Sequence, residues 1–333
     1  MSSLALPLLI AAALVASAVL TPALLRRAEP ILVRVPRLAV GGLLGAATLW
    51  LLSAAAVSLA LAWVLNGPQL LPAAYGNVCR TCLEAASPFS LGPGLTTPLP
   101  VVVLVMGPAV LLLMLLLLGA HRNLQHRRAV RREHEAVRGP GRETTVLGHR
   151  VLMLPVQAPV AFTLPRGRGG IVVSEGLLAT LDPSELAAVL AHEQAHLRQR
   201  HHVVMALLNA FSAPLRAIPL FGAVVEAVPR YLEIAADAHA RRRCGTPALA
   251  AALLTIGEQR HRPASPIPVR SPAPVLHAAG PDRIGHLVAP PTMRTAWLPM
   301  VALLGLTVTL ALCATAVHGP YLLVVLRGCG IPV

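Results

Sequence analysis

The sequence has no lysine, few aromatic residues and few charged side chains. Charged residues make up 13% and aromatic residues 3% of its 333 positions. So little charge argues against a simple soluble protein. All 28 basic residues are arginine, a pattern typical of GC-rich codon usage, so the formal net charge of +14 by itself indicates little about partners. Because no recognition motif accompanies this charge, we expect no direct nucleic-acid binding.

Long hydrophobic runs dominate the sequence instead. Hydrophobic residues make up 55% of the chain, and its mean hydropathy is +0.67. A membrane-spanning helix needs about 20 apolar residues. Four runs meet this length, at about 4–25, 38–65, 99–120 and 296–318. The first also has the small residues Ala16-Ser17-Ala18 of a signal-peptide cleavage site, but no basic residue precedes it, so we predict a retained span.

Arginines flank these runs unevenly. Residues 26–37 and 122–132 are rich in arginine, whereas the loop 66–98 contains only Arg80. The positive-inside rule therefore predicts that both termini lie outside and that residues 121–295 are cytoplasmic. We expect the cluster 122–132 to contact anionic headgroups of the lipid bilayer.

The motif His192-Glu193-Gln194-Ala195-His196 predicts a metal centre. Two histidines four residues apart lie on one face of a helix, so both imidazoles can bind the same Zn²⁺. Catalytic zinc needs a third protein ligand and one open position. Glu233 can supply that ligand, and Asp237, one turn later, can support a zinc-binding histidine from the second shell. Glu193 is then the candidate catalytic base, acting on a zinc-bound water.

Local signals predict the two helices that this centre needs. Asp182-Pro183-Ser184-Glu185 reads as a helix start, with Asp182 as N-cap. The second helix is predicted to begin near Pro229 and to end with Arg241–Arg243 before Gly245. Residues 203–228 are apolar but interrupted, and we predict two helices there, since a fifth span would separate Glu233 from His192.

Short strands are predicted ahead of the motif, at Val146–Leu154, Pro159–Leu164 and Ile171–Ser174. A strand next to an HExxH helix often pairs with a peptide substrate as an added strand. Gly169–Ser174 is the candidate for that role, with an ordinary structural strand as the alternative. A proline-rich segment from about 260 to 295 predicts a semi-rigid linker.

Three alternatives to this site remain open. His202 stands where a longer zinc motif has a third histidine, but Gln199 replaces the glycine of that motif, so we interpret His201 and His202 as surface residues closing a helix. An intramembrane site is disfavoured by the charged residues around the motif. A purely structural zinc site would usually have four ligands rich in cysteine.

The five cysteines do not form a metal site of that kind. Cys79 and Cys82 fall in the predicted outer loop, where a structural disulfide is favoured over a redox sensor or metal clip. Cys244 is expected to be cytoplasmic and reduced, and Cys313 falls in the last span.

The predicted spans, with Ile171–Leu178 and the two zinc motifs, resemble the BlaR/MecR family of membrane metallopeptidases, which are related to HtpX and CAAX-prenyl endopeptidases. The resemblance implies a compact gluzincin fold, with zinc on His192, His196 and Glu233, Glu193 as base and Asp237 in support. Family members that sense β-lactams carry an external penicillin-binding domain. Residues 319–333 contain no S-x-x-K motif, so we do not expect direct antibiotic sensing.

Together these features predict a mainly α, multi-pass protein of the cell membrane with a cytoplasmic α+β peptidase domain. The resemblance implies a signal transducer that cleaves a cytoplasmic protein, with a DNA-binding repressor as the expected substrate. HtpX-like quality control and a non-catalytic zinc receptor are the alternatives, and pairing as a homodimer is left open. The predicted units are three spans (1–120, with outer loop 66–98), a peptidase domain (121–259), a linker (260–295), a fourth span (296–318) and an outer tail (319–333).

Overall fold

The computed structural model describes residues 5–66, 101–138, 141–164, 170–212, 215–261 and 296–327. These residues are mainly helical, with one small sheet between the third and fourth helices. In chain order the helices are α1 (Ala5–Leu32), α2 (Pro36–Asn66), α3 (Val101–Arg138), α4 (Glu175–Thr180), α5 (Pro183–Arg198), α6 (His201–Ser212), α7 (Pro219–Cys244), α8 (Thr246–His261) and α9 (Trp297–Arg327). The strands are β1 (Arg142–Val146), β2 (His149–Leu154), β3 (Ala161–Thr163) and β4 (Ile171–Ser174).

Four of the described helices are long and apolar enough to cross a membrane. The candidate spans are Pro7–Leu32 in α1, Pro36–Leu61 in α2, Met106–Gln125 in α3 and Trp297–Gly319 in α9. By length and composition they confirm the four predicted runs, although their limits differ. The first continues to Leu32, with Pro22 and Pro30 inside the helix, and α3 continues beyond its span through the arginine-rich stretch to Arg138.

The sheet has the strand order β1-β2-β4-β3. β4 pairs with β2 in parallel and with β3 antiparallel, so it lies inside the sheet, and the prediction that Gly169–Ser174 is an edge strand is wrong. β3 is an edge of the sheet as described, and it contacts α5. The predicted strand Val146–Leu154 is correct over His149–Leu154 but begins too early: Leu147 and Gly148, both with positive φ, form a two-residue turn that joins β1 and β2 in a hairpin.

Ser174 holds the segment between β2 and β3 against the start of α4. Its hydroxyl donates to Ala158 O at 2.7 Å and accepts from the amides of Val160 and Leu177 at 2.9 and 3.1 Å. Two residues later the Gly176 amide donates to Val156 O at 3.0 Å. The backbone of this segment therefore passes directly over Gly176. A Cβ atom at Gly176 would lie 1.9 Å from Gln157 O, which only glycine avoids.

The predicted starts of the two motif helices have different outcomes: one is confirmed and the other is wrong. α5 begins with the predicted capping box: Asp182 Oδ1 accepts from the Glu185 amide, and Glu185 Oε2 accepts from the Asp182 amide. α7 ends at Cys244 with Gly245 beyond it, as predicted, but it begins at Pro219 instead of near Pro229. Pro219 occupies the first turn, where its missing N–H costs nothing, and the helix continues through Pro229.

Two hydrophobic clusters meet along α7. Its first half, including Leu220, Val224 and Val228, packs with residues from the facing ends of α1 and α2. Its second half contributes Ala240 to the core formed by the sheet, α5 and α8. The predicted helix pair at 203–228 is present as α6 and the start of α7. α7 is therefore the element that joins the membrane helices to the sheet-containing unit.

Several predictions concern residues outside the described part of the chain. They include the disulfide between Cys79 and Cys82, the linker from 262 to 295 and residues 328–333 of the tail, whereas residues 319–327 of the predicted tail continue helix α9. Within the described residues, Cys244 and Cys313 are free thiols.

Gly176→Ala should destabilise the protein, since the new methyl group meets immovable backbone. An overpacked core typically costs 1–3 kcal/mol, and we expect about 2 kcal/mol here. Gly257→Ala in α8 is the matched control, because its Cβ would meet no atom within 4 Å. Alanine in an open helical site should gain roughly 0.5–1 kcal/mol over glycine. Thermal unfolding of the full-length protein in detergent measures both, and equal midpoints for the two variants would contradict the backbone arrangement at Gly176.

Candidate metal centre

The predicted motif residues come together between α5 and α7. α5 packs on α7, and its buried face includes both His192 and Glu193. His192 has 1% of its side chain exposed, whereas His196 and Glu233 have 17% and 16%. The group is therefore closed on the His192 side and open to solvent on the other. Such an opening is where a water molecule or a substrate can reach a metal ion.

The spacing of the three predicted ligands fits a tetrahedral zinc ion. Ligands bound at about 2.0–2.1 Å lie roughly 3.3 Å apart around such an ion. His192 Nε2 and His196 Nε2 are 3.0 Å apart, and each is 3.5 Å from a carboxylate oxygen of Glu233. Their ligand atoms all lie within 4.8 Å of one another. Among the described residues this potential ligand group has three members, as a catalytic zinc site does and a structural one usually does not.

Asp237 fixes the orientation of His192. Its Oδ1 lies 2.9 Å from His192 Nδ1, one turn of α7 after Glu233. Burial alone would lower the pKa of His192, but the carboxylates of Asp237 and Glu233 outweigh burial and raise it to about 10. A metal ion must therefore displace a proton from His192 Nε2, while Nδ1 keeps its place beside the Asp237 carboxylate. This contact is the second-shell arrangement that the sequence predicts for Asp237.

His201 was missed as a site residue. It was predicted to lie on the surface, but only 4% of it is exposed, because α6 begins with this residue turned back towards α5. His201 Nδ1 lies 2.8 Å from His196 Nδ1. A positive φ of 53° at Arg200 makes the sharp turn between the helices. No sequence pattern marks such a turn, whereas the neighbouring His202 is exposed as predicted and lies outside the ligand group.

A chain of hydrogen bonds determines which nitrogen of His196 carries its proton. Arg37 Nε–H can only donate, and it lies 3.1 Å from Gln199 Oε1. His201 Nε2 lies 3.1 Å from the same oxygen and must therefore donate to it as well. Burial, followed by the nearby His196, lowers the pKa of His201 to about 3, so His201 is neutral.

Neutral His201 has one donor and one acceptor nitrogen. Because its Nε2 donates to Gln199, its Nδ1 must accept from His196 Nδ1–H. That leaves the lone pair of His196 Nε2 facing His192 and Glu233, which is the form that binds a metal. Arg37, in the first turn of the second candidate span, is thus connected to the site through two intervening side chains.

His201→Ala should weaken zinc binding by about 10- to 100-fold, the usual effect of losing a hydrogen-bond partner that orients a metal-binding histidine. His201→Asn should recover part of this loss, since its amide oxygen can accept from His196 Nδ1–H. The dissociation constant is measured by competition with a chromophoric chelator. His202→Ala is the matched control and should bind zinc like the unchanged protein. Equal affinities for His201→Ala and His202→Ala would show that His201 does not orient His196.

The fold and this group of residues define a class: a multi-pass membrane protein with a metallopeptidase-like centre. Comparison with known proteins agrees, because residues 121–235 match the model of Peptidase family M48. This match contains the sheet, α5 and the predicted ligands. No solved structure matches the chain significantly.

Named relatives are similar over the same part of the chain. A Protease HtpX homolog of Acidiphilium cryptum is 33% identical over 143 residues, which are 33% of this chain and 50% of the relative. A Protease HtpX homolog of Pyrococcus abyssi is 28% identical over 167 residues, 39% of this chain and 58% of the relative. One from Aquifex aeolicus is 36% identical over 73 residues, 21% of this chain and 24% of the relative.

This chain thus spans from about a quarter to somewhat more than half of these relatives' length. The matches support the broad prediction, a membrane metallopeptidase. They do not confirm the finer assignment to the BlaR/MecR branch.

Proposed function

We propose that the chain is a membrane-embedded endopeptidase with one zinc ion, held by His192, His196 and Glu233, and that it cleaves a cytoplasmic protein. The observation that carries this proposal is the approach of the three ligand atoms to within 4.8 Å, open to solvent on one side. The orienting contacts of Asp237 and His201 add support. A structural zinc site would gain nothing from an open side or from a buried carboxylate next to His192.

Bound zinc would act as a Lewis acid on the peptide carbonyl and lower the pKa of a coordinated water towards ~7. The protein's own residues perform the proton transfers. Glu193, 4% exposed and next to His192 on α5, would accept the proton of the attacking water and return it to the nitrogen of the leaving amine. A C–O bond forms as the peptide C–N bond breaks. Asp237 and His201 keep both imidazoles in the metal-binding tautomer throughout.

The edge strand β3 is the better candidate for holding the substrate backbone. β4 already pairs on both sides, whereas β3 pairs only with β4 in the sheet as described and contacts α5. A peptide added to β3 would extend the sheet beside the HExxH helix, using main-chain hydrogen bonds that do not depend on sequence. Specificity would then come from neighbouring side chains and from which proteins reach the site.

An intramembrane site receives less support. α5 is not among the candidate spans, and its buried residues pack with the sheet and α8. α5 also ends with the exposed Arg198, and the exposed Arg200 follows two residues later; both are costly in a hydrocarbon core. We therefore propose that the catalytic unit lies at the cytoplasmic surface of the membrane, with both termini outside.

Glu193→Gln should abolish cleavage while leaving zinc bound. Removing a general base typically costs 10²- to 10⁴-fold in rate, so we expect a loss of about 10² or more. Cleavage is measured on dye-labelled casein, an unstructured generic substrate, and zinc is measured by elemental analysis of the same sample. Glu226→Gln, an exposed position on α7, is the matched control and should retain full activity. Wild-type cleavage by Glu193→Gln protein would refute the proposed role of Glu193.

Two biological roles are compatible with such an enzyme. By the BlaR/MecR resemblance, it would inactivate a small DNA-binding repressor in response to a signal sensed outside. By the HtpX resemblance, supported by the named relatives, it would degrade misfolded membrane proteins and need no external signal. Proteomes of cells with wild-type and Glu193→Gln protein distinguish the two. One accumulating repressor supports the first role, and many accumulating membrane proteins support the second.

The cytoplasmic placement can be tested with Ala179→Cys, an exposed position in α4, in a protein otherwise free of cysteine. A membrane-impermeant maleimide should label it in inverted vesicles and not in intact cells. Restoring Cys79 alone provides the opposite control, since the loop 66–98 is proposed to face outside. Labelling of Ala179→Cys in intact cells would reverse the proposed topology.

A further inference from the structure

A cavity lies behind the candidate metal centre, where α2 meets α5, α6 and α7. Its volume is about 770 Å³, and it is separate from the face on which the ligand atoms meet. Gln199 and His201 form part of its wall, on the Nδ1 side of His196. Neither the proposed peptidase mechanism nor the β3 edge uses this space.

The wall of this cavity changes from charged to apolar along each of two helices. On α2 it begins with Arg37 and continues through Val40 to Leu44. On α7 it runs in the opposite chain direction, from Arg243 to Leu232. At 1.5 Å per residue, the α2 wall is about 10 Å long. These α2 residues are the first turns of the candidate span Pro36–Leu61, so the apolar end points into the predicted bilayer.

The charged end of this wall has several arginine side chains and, among the described lining residues, no acidic side chain to balance them. Arg37, Arg198 and Arg243 are exposed at the cavity. Burial, followed by several arginines that include these three, lowers the pKa of His239 in the same wall. Among the described residues, the buried Gln199 Nε2 and His239 Nε2 also have no hydrogen-bond partner. Three cations that converge on one opening favour an anion there.

We propose that this cavity binds one anionic phospholipid, with its phosphate among Arg37, Arg198 and Arg243 and its acyl chains along Val40, Leu44 and Leu232. Charge complementarity selects a phosphate, and the apolar wall at the membrane boundary selects a lipid instead of a soluble anion. A lipid bound there would contact α2, the end of α5 and α7 together. It would therefore fasten the catalytic unit to the bilayer at the side chains that orient His196.

The test measures lipid binding and does not depend on catalysis, so it uses full-length Glu193→Gln protein. Delipidated protein in detergent is titrated with phosphatidylglycerol, with phosphatidylcholine of the same acyl chains and with inorganic phosphate. Native mass spectrometry counts the bound molecules. We expect one phosphatidylglycerol to bind at least tenfold tighter than phosphatidylcholine and to resist millimolar phosphate. Equal binding of both lipids, or full displacement by phosphate, would overturn the proposal.

Two pairs of variants locate the site. Gly41 lines the cavity, and a Cβ atom there meets nothing within 4 Å, so Gly41→Leu should fill the space and abolish selective binding. Gly45→Leu, one turn along α2 and equally open, is the matched control and should bind normally. Arg243→Gln should weaken binding about fivefold, and Arg142→Gln, exposed on β1 and outside the cavity wall, should not. If both members of either pair behave alike, the lipid is bound elsewhere and the proposal fails.

Discussion

The packing of α5 against α7 is the constraint on which the rest of the structure depends. It brings His192 and His196 from one helix to Glu233 of the other, although about forty residues of chain separate them, and it sets His192 Nδ1 2.9 Å from Asp237. Both helices contain small, fully buried residues, among them Ala195 of α5 and Ala236 of α7. A shift of α7 by a fraction of a turn would leave two histidines without a third ligand and without support.

The position of α7 is in turn determined by the membrane helices. Its first half shares a hydrophobic cluster with α1 and α2, and Arg230 forms an ion pair with Glu29 of α1. On the other side of the site, Arg37 of α2 reaches His196 through Gln199 and His201. α7 of the candidate metal centre thus contacts α1 and α2 directly, and the residue after α5, Gln199, is hydrogen-bonded to Arg37 of α2. A change in the packing of the spans has two short routes to the ligands, whichever biological role the peptidase serves.

Features encoded over a few residues were predicted well. The four apolar runs depend only on consecutive residues of one segment. The capping box at Asp182 and the end of α7 at Gly245 depend on neighbours within one or two helical turns. Predictions failed where distant contacts decide. Pro229 resembles a helix start, but the cluster with α1 and α2 buries the preceding turns and keeps them helical. Likewise Gly169–Ser174 resembles an edge strand, yet β4 pairs antiparallel with the preceding β3, which makes Ala161–Thr163 the edge instead.

The sequence by itself determined the kind of site, because HExxH spacing on a helix, with an acidic pair one turn apart further on, follows from helix geometry alone. It also determined the membrane character, which depends only on the length and hydropathy of four runs. Only the tertiary structure decided that His201 is buried against His196 and that Arg37 is linked to both. Those contacts join residues from separate helices through a turn at Arg200, and no local pattern of residue types encodes the angle at which packed helices meet.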